Sequence, residues 1–397
     1  MKLITEEKHI LNSGFREIFG YEPSRYFSAP GRTEVGGNHT DHQRGRVLAA
    51  AVNLDTRAAV APNGTQILRV LSQGYPLCQV DLSDLSPKDE EKNTTAALIR
   101  GVAAGFVAAG CQISGLDIYV MSTVLPGSGL SSSAAFEVLM GTILNGMFHN
   151  GAFPAEDIAK IGQYAENVYF GKPCGLMDQM ASAVGGLVAM DFTTGMVRPL
   201  NCDLTKWDHA LCIIDTHASH AELTGEYAAV PAEMKAVAAY FGCDVLAQVD
   251  EVSFYNAIPA LRQHCGDRAV LRAIHFYEEN RRVTAQWEAL ERGDFPAFLE
   301  LVNDSGRSSF MYLQNVVVSG SRENQEMALA LALCEKFLNG RGAYRVHGGG
   351  FAGTVQAFVP LDILDQFCTG IDSVLGQGSC HVLSLRPEGG VEMEAAT

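Results

Sequence analysis

The sequence predicts an α+β fold in two halves. Three observations carry this reading: strand-like segments come in groups, helical periodicities intervene, and no regular strand–helix–strand alternation runs along the chain. At 397 residues the chain has room for two or three domains of about 100–200 residues each. With 47% hydrophobic and 19% charged residues, it belongs with globular rather than disordered sequences.

Residues 2–20 read as a helix, with Ile10, Leu11, Phe15, Ile18 and Phe19 apolar at helical spacing. Ala29-Pro30-Gly31-Arg32 reads as a turn. Val47 to Val60 is an apolar strand, and Ile67–Leu71 and Cys78–Leu82 are shorter ones. Ser86-Pro87 opens a charged turn before a helix over Thr95–Ala109. Leu116–Ser122 alternates as a strand and feeds a Gly/Ser run, then a helix to about Phe148; Ala155–Val168 is the next helix. Beyond residue 200 come a strand at Ala210–Asp215 and helices near 231–241, 267–292 and 323–338. Residues 343–360 read as strand, Gly-rich turn, strand. A seam near residue 205 divides the chain into units 1–205 and 206–397.

Charge and composition narrow the function. Lys plus Arg is 29 and Asp plus Glu is 45, so the net charge is −16. Such a chain is a poor partner for nucleic acid or an anionic membrane, although a local site can still bind a small anion. The first twenty residues carry charges throughout and lack the apolar stretch of a signal peptide. No run of 18 apolar residues occurs, so a cytoplasmic location is expected. The ten cysteines form no C-x-x-C pair and read as reduced thiols packed like small hydrophobes. His217, His220 and His275 lack a third ligand at convincing spacing and read as solvated or core histidines.

Three segments carry chemistry. The first is Pro126-Gly127-Ser128-Gly129-Leu130-Ser131-Ser132-Ser133, between a strand and a helix. Glycines admit close approach of a ligand, serines can cap the helix, and the helix N-terminus favours anions. Alone, the segment also fits an ordinary capped helix, and it lacks the Lys of a P-loop. The second is Pro173-Cys174-Gly175-Leu176-Met177-Asp178-Gln179, where a lone Asp is by default a helix N-cap or a first-turn residue. The third, Gly348-Gly349-Gly350-Phe351-Ala352-Gly353, is by itself a hairpin turn.

Together the three resemble the motifs of the GHMP kinases. Within that family, Gly31-Arg32 followed by Gly37-Asn38-His39-Thr40-Asp41-His42 is similar to the galactokinase sugar signature. Likeness extends from about residue 25 to 360, more weakly through Tyr227, His275–Arg282 and Asn303–Ser309. The resemblance implies two α+β domains with the active site in the cleft between them. It implies transfer of the ATP γ-phosphoryl group, with Mg²⁺, to the anomeric hydroxyl of galactose. On that basis Asp178 is the expected base and Arg32 its charged partner. Residues 126–133 are expected to cradle the phosphates. Ser132 or Ser133, with Glu166, matches the metal positions, which suits hard oxygen ligands. Arg32, Glu34, Asn38, His39, Asp41, Gly175, Asp178 and Tyr227 match sugar-contacting positions. The implied partners are the sugar and MgATP, and the implied assembly is a monomer or homodimer.

The chain departs from the family's pattern at Glu34, Gly36, Asn38 and His42, at Ala97-Leu98-Ile99 before Arg100, at Gly306, and after Tyr227. Asn38 stands where the signature has a Glu that accepts from the sugar 6-hydroxyl. The swap keeps a kinase for galacturonate, N-acetylgalactosamine or L-arabinose as an alternative. An inactive sugar- and ATP-binding regulator is disfavoured, because binding alone needs neither Arg32 nor Asp178.

Overall fold

The computed structural model describes residues 1–124, 129–200, 202–218 and 223–395. Its strands are Lys2–Leu3 (β1), Arg25–Gly36 (β2), Arg46–Pro62 (β3), Ile67–Ser72 (β4), Cys78–Asp81 (β5), Leu116–Ser122 (β6), Leu187–Asp191 (β7) and Met196–Leu200 (β8). They continue with His209–Asp215 (β9), Ala343–His347 (β10), Thr354–Pro360 (β11), Cys380–Leu383 (β12) and Val391–Ala395 (β13). Nine of them form one sheet in the order β1-β13-β2-β3-β6-β4-β5, with β7 and β8 continuing from β3. The other four form an antiparallel sheet, β10-β11-β9-β12. Strands grouped into two sheets, with helices between the groups, give the expected α+β architecture.

β3 is the organising strand. Its apolar run Val47–Val52 is buried on both faces, as expected of a strand covered on both sides. It pairs with β2, β6 and β7. On one side the helices Thr95–Ala108 and Ser132–His149 pack over it through Ile99, Val102, Phe106, Leu139 and Ile143. On the other, Leu48 and Ala50 join Leu211 and Ile213 of β9 and Phe298 in a core that couples the two sheets.

Two expectations need correction. Ala29-Pro30-Gly31-Arg32 is not a turn but lies inside β2, where the register with β3 shifts between Pro30 and Arg32. Pro has no N–H to donate, and a bulge is where a strand tolerates it. The first helix is Thr5–Phe19, and Lys2–Leu3 ahead of it is a strand. The last strand also bears on the expected seam at residue 205: β13 pairs with β2 in the first sheet, and β1 lies parallel to it. Among the described residues, no helix is long and apolar enough to cross a membrane.

Candidate active site

The β2 bulge and a helix start bring the first two functional side chains together. Arg32 Nε and Nη2 donate to Asp178 Oδ1 and Oδ2 at 2.6 and 2.8 Å, a bidentate pair. Asp178 sits in the first turn of the helix Met177–Val184. It caps nothing; it also accepts from the Ser131 hydroxyl, and Arg32 Nη1 donates to the Gly129 carbonyl. Burial pushes the Asp178 carboxyl up, but the Arg32 charge and the hydrogen bonds from Arg32 and Ser131 outweigh it and hold the group below its usual range. Asp178 is therefore an ionised carboxylate at neutral pH.

Ser131 precedes the helix Ser132–His149, where a serine can serve as a cap. Instead its backbone is left-handed, with φ of 57°, and its side chain makes no capping bond to Ser132–His149. The hydroxyl is turned to Asp178, which leaves the helix N-terminus without a side-chain acceptor.

A cleft of about 670 Å³ opens beside this pair. Arg32, Glu34, His39, Asp41, Gly175, Tyr227, Gly348 and Gly349 line it, so β2 of one sheet and the turn between β10 and β11 of the other both contribute to its wall. Asp41 begins a short 3₁₀ turn, Asp41–Gln43. Burial pushes its carboxyl up to about 6; the His42 amide opposes this, Asp178 and Glu34 add to it, and Arg32 offsets part. Gly175 is what lets Asp41 sit there, because a Cβ at residue 175 would collide with Asp41 Oδ2. His39 contacts the Gly349 carbonyl at 3.0 Å and His42 Nε2 at 3.3 Å. Burial lowers the pKa of both rings, His42 to about 3, so both are neutral.

Asn38 departs from its expected place. It does not line the cleft and is fully buried. Its amide donates to Glu34 Oε1 at 3.0 Å and to the Gly348 carbonyl at 2.7 Å. Its carbonyl accepts from Asn315 Nδ2 at 2.9 Å and Ser309 Oγ at 3.2 Å. Four bonds saturate the amide and leave nothing for a sugar. Glu34 does reach the cleft wall, but the buried Arg345 also donates to it.

The Gly-rich turn closes the opposite wall. The Tyr227 hydroxyl donates to the Gly350 carbonyl at 2.9 Å, and its ring packs edge-on against Phe351. A Cβ on Gly349 would stand 2.8 Å from the Tyr227 ring. His347 Nε2 accepts from the Glu34 N–H at 3.3 Å, so Nδ1 carries the proton toward Thr354 Oγ1, 2.8 Å away. His275, read as a core histidine, is buried, with Nε2 2.9 Å from the Asn38 carbonyl.

The expected metal residues meet at the helix N-terminus. The Ser133 hydroxyl donates to Glu166 Oε1 at 3.4 Å, whereas Ser132 is exposed. Glu166 sits in a π-helical turn, Ala165–Phe170, that continues the helix Ala155–Tyr164. Gln179 Nε2 bridges Glu166 and Glu137 at 2.8 and 2.9 Å. Lys172 Nζ lies 3.5 Å from Glu166, and Glu137 Oε1 is buried without a partner. Two buried carboxyl groups, one of them with an under-satisfied oxygen, and one hydroxyl are a donor set that fits a hard divalent cation.

Pro126, Gly127 and Ser128 lie outside the described residues, as does His220. Several site residues carried no functional expectation in the sequence. The Ser131–Asp178 bond and the Gln179 bridge depend on tertiary placement. Lys172 was visible beside Pro173, but its 3.5 Å approach to Glu166 was not.

Known protein families match two segments of the chain that contribute to this cleft. Residues 13–62 match the galactokinase galactose-binding signature, and residues 97–186 match the GHMP kinases N-terminal domain. A galactokinase from Streptomyces coelicolor is 32% identical over 91% of this chain and 89% of its own length. The chain belongs to the galactokinase family. A second galactokinase, from Glaesserella parasuis, is 31% identical over 87% of the chain and 88% of its own. The fold agrees: the crystal structure of Lactococcus lactis galactokinase complexed with galactose superposes with a TM-score of 0.83. That match covers 96% of this chain and 99% of the other, at 24% identity. A mevalonate kinase, at 13% identity and a TM-score of 0.66, shares the two-domain GHMP kinase fold over 92% of the chain and all of its own. As a member of the galactokinase family the protein is a phosphotransferase with a hydroxyl acceptor.

Proposed function

We propose that the protein transfers the γ-phosphoryl group of ATP to the anomeric hydroxyl of D-galactose, giving galactose 1-phosphate. The observation that supports this best is the buried Arg32–Asp178 pair at the wall of a cleft shared with Asp41 and His39. Phosphoryl transfer asks a protein for positioning and charge neutralisation more than for covalent chemistry. Asp178, ionised and fixed by Arg32 and Ser131, accepts the proton of the attacking hydroxyl or orients it. Arg32 offsets the charge of the transferring group. Asp41, His39, Glu34 and Tyr227 shape the sugar side, and Gly175 sets the position of Asp41.

Residues 126–133 are assigned to the nucleotide, with the N-terminus of the helix Ser132–His149 facing its phosphates. Ser133 and Glu166 would hold Mg²⁺; Ser132 has no such partner. When bound, the ion neutralises phosphate charge and fixes phosphate geometry. We assign the enzyme to the cytoplasm. We place the division between its domains near residue 205, with the last strand returning to the first sheet.

The alternatives at C6 rested on Asn38. With Asn38 buried and saturated, that support is gone, and galactose is the favoured substrate. A panel of galactose, galacturonate, N-acetylgalactosamine and L-arabinose with MgATP, read by ADP release and product phosphorus NMR, tests this. Galactose should give the highest kcat/KM, and Asp178→Asn should lower its turnover by about 10²–10⁴-fold. No turnover of galactose, or an unimpaired Asp178→Asn enzyme, would overturn the reading.

A further inference from the structure

Three of the ten cysteines meet at one point of the second sheet, away from the cleft. Cys212 lies on β9, Cys380 on β12, and Cys368 on the helix Leu364–Leu375. In the β9–β12 pairing, Cys380 stands opposite Ile214 and Val382 opposite Cys212. Cys212 and Cys380 are therefore diagonal neighbours on one face of the sheet. The helix packs on that face through Phe367 and Ile371 and lowers Cys368 between them. The Cys368 and Cys380 sulfurs are 3.4 Å apart, and all three sulfurs lie within 4.8 Å of one another.

We propose that Cys212, Cys368 and Cys380 form a binding site for a soft, thiophilic d¹⁰ metal ion, held by three thiolates. Three atoms no more than 4.8 Å apart leave a centre within about 2.8 Å of each, and metal–thiolate bonds run to about 2.3 Å. Half an ångström of closure suffices (roughly the difference between those two lengths). Thiol-rich donor sets select Cu(I) and Zn(II) over harder ions. Among the described residues no other His, Cys, Asp or Glu atom joins the group. Asp372, on the same helix, is already engaged by the backbone N–H groups of Gly378 and Cys380, both at 3.0 Å. A three-donor set without a fourth protein ligand suits Cu(I), whereas Zn(II) would complete its shell with water. Cys212 is fully buried but Cys368 and Cys380 are half-buried, so the ion has a route in and its excess negative charge keeps contact with solvent. Binding forms three metal–sulfur bonds and releases three thiol protons; no electron moves. Packing as small hydrophobes explains a single buried cysteine, but not three sulfurs brought to one point from three separate segments.

The test uses the full chain, reduced and then exchanged anaerobically into thiol-free buffer. One arm titrates Cu(I) against bicinchoninate, and the other titrates Zn(II) against a chromophoric chelator. We expect about one ion retained per chain, a rise in melting temperature, and three sulfur neighbours by X-ray absorption. The half-buried pair carries the substitution test: C368S/C380S should lose affinity by about 100-fold or more, while C265S should retain it. Should the double variant fold poorly, alkylation of the wild-type chain decides, since the ion should protect Cys368 and Cys380 but not Cys265. The proposal is overturned if neither ion is retained, if retention survives in the folded double variant, or if fewer than three sulfurs surround the ion. Equal alkylation with and without the ion overturns it too.

Discussion

The side-chain amide of Asn38 donates to Glu34 Oε1 at 3.0 Å, so the two residues that exchange chemistry relative to the galactokinase signature are bonded to each other. Asn38 thereby ties β2 to the Gly-rich turn through Gly348, and to Asn315 and Ser309. Asn38→Glu should therefore act on stability and not on sugar choice. It sets two carboxylates side by side and strips Gly348 of its donor. A loss of roughly 2–5 kcal/mol in urea unfolding is expected. The preference for galactose over fucose should stay within experimental error of the wild type. A stable variant with altered preference would mean that the side chain reaches the sugar after all.

Gly175→Ala tests how the sugar side is set. The new Cβ collides with Asp41 Oδ2, and Asp41 must move. Displacement of a positioning group by about 1 Å can cost about 10²-fold. KM for galactose should rise while KM for ATP stays near its original value. An enzyme with unchanged sugar kinetics would remove Asp41 from the binding surface.

The raised Asp41 carboxyl makes a prediction about pH in which activity and stability move in opposite directions. Its folded pKa, about 6, lies above the ordinary value near 3.8. Stabilisation from its proton is thus fully present below about 3.9 and lost as pH rises through about 6. On the proposed role of Asp41 as an acceptor for the sugar, kcat/KM for galactose should fall as pH drops below about 6. Asp178, held below its usual range, stays ionised across that window. Asp41→Asn should flatten the acidic limb; a limb that persists belongs to another group.

Ser131→Ala and Glu166→Gln separate the proposed support of Asp178 from the proposed metal site beside the nucleotide segment. Ser131 bonds to Asp178 and caps nothing, so its loss should lower kcat/KM by about fivefold, near 1 kcal/mol, with little change in melting temperature. Glu166→Gln should instead raise the Mg²⁺ concentration for half-maximal activity by about 10–100-fold. Kinetics over a Mg²⁺ series distinguishes them, and a Glu166→Gln enzyme with wild-type Mg²⁺ dependence would displace the ion from this residue.

Much of the fold was readable because its signals are local. β3, β6, β9 and the helices Thr95–Ala108 and Ser132–His149 follow apolar patterns of the right period. Pro30-Gly31 misled because a bulge and a turn use the same residues, and only the pairing partner tells them apart. The helix Glu251–Cys265, with Pro259 inside it, carried the wrong punctuation for a helix. At the site, Arg32, Asp41 and Asp178 were legible from their motifs. Asn38 was not, because whether an amide faces a ligand or a carbonyl depends on Gly348 and Asn315, some three hundred residues away.

The return of β13 to the first sheet bears on the order in which the protein can be made. Tyr26–Ser28 leave the ribosome long before their partners, Val391–Met393, which lie more than three hundred residues further along the chain. Until then β2 presents one bare edge, and the strand that carries Arg32 and Glu34 is only half secured. A nascent chain paused anywhere between the two segments leaves that edge open to non-native pairing. The edge of the strand that carries Arg32 and Glu34 is thus completed only after more than three hundred further residues have been made, and a fragment lacking Val391–Met393 cannot hold β2 as the full chain does.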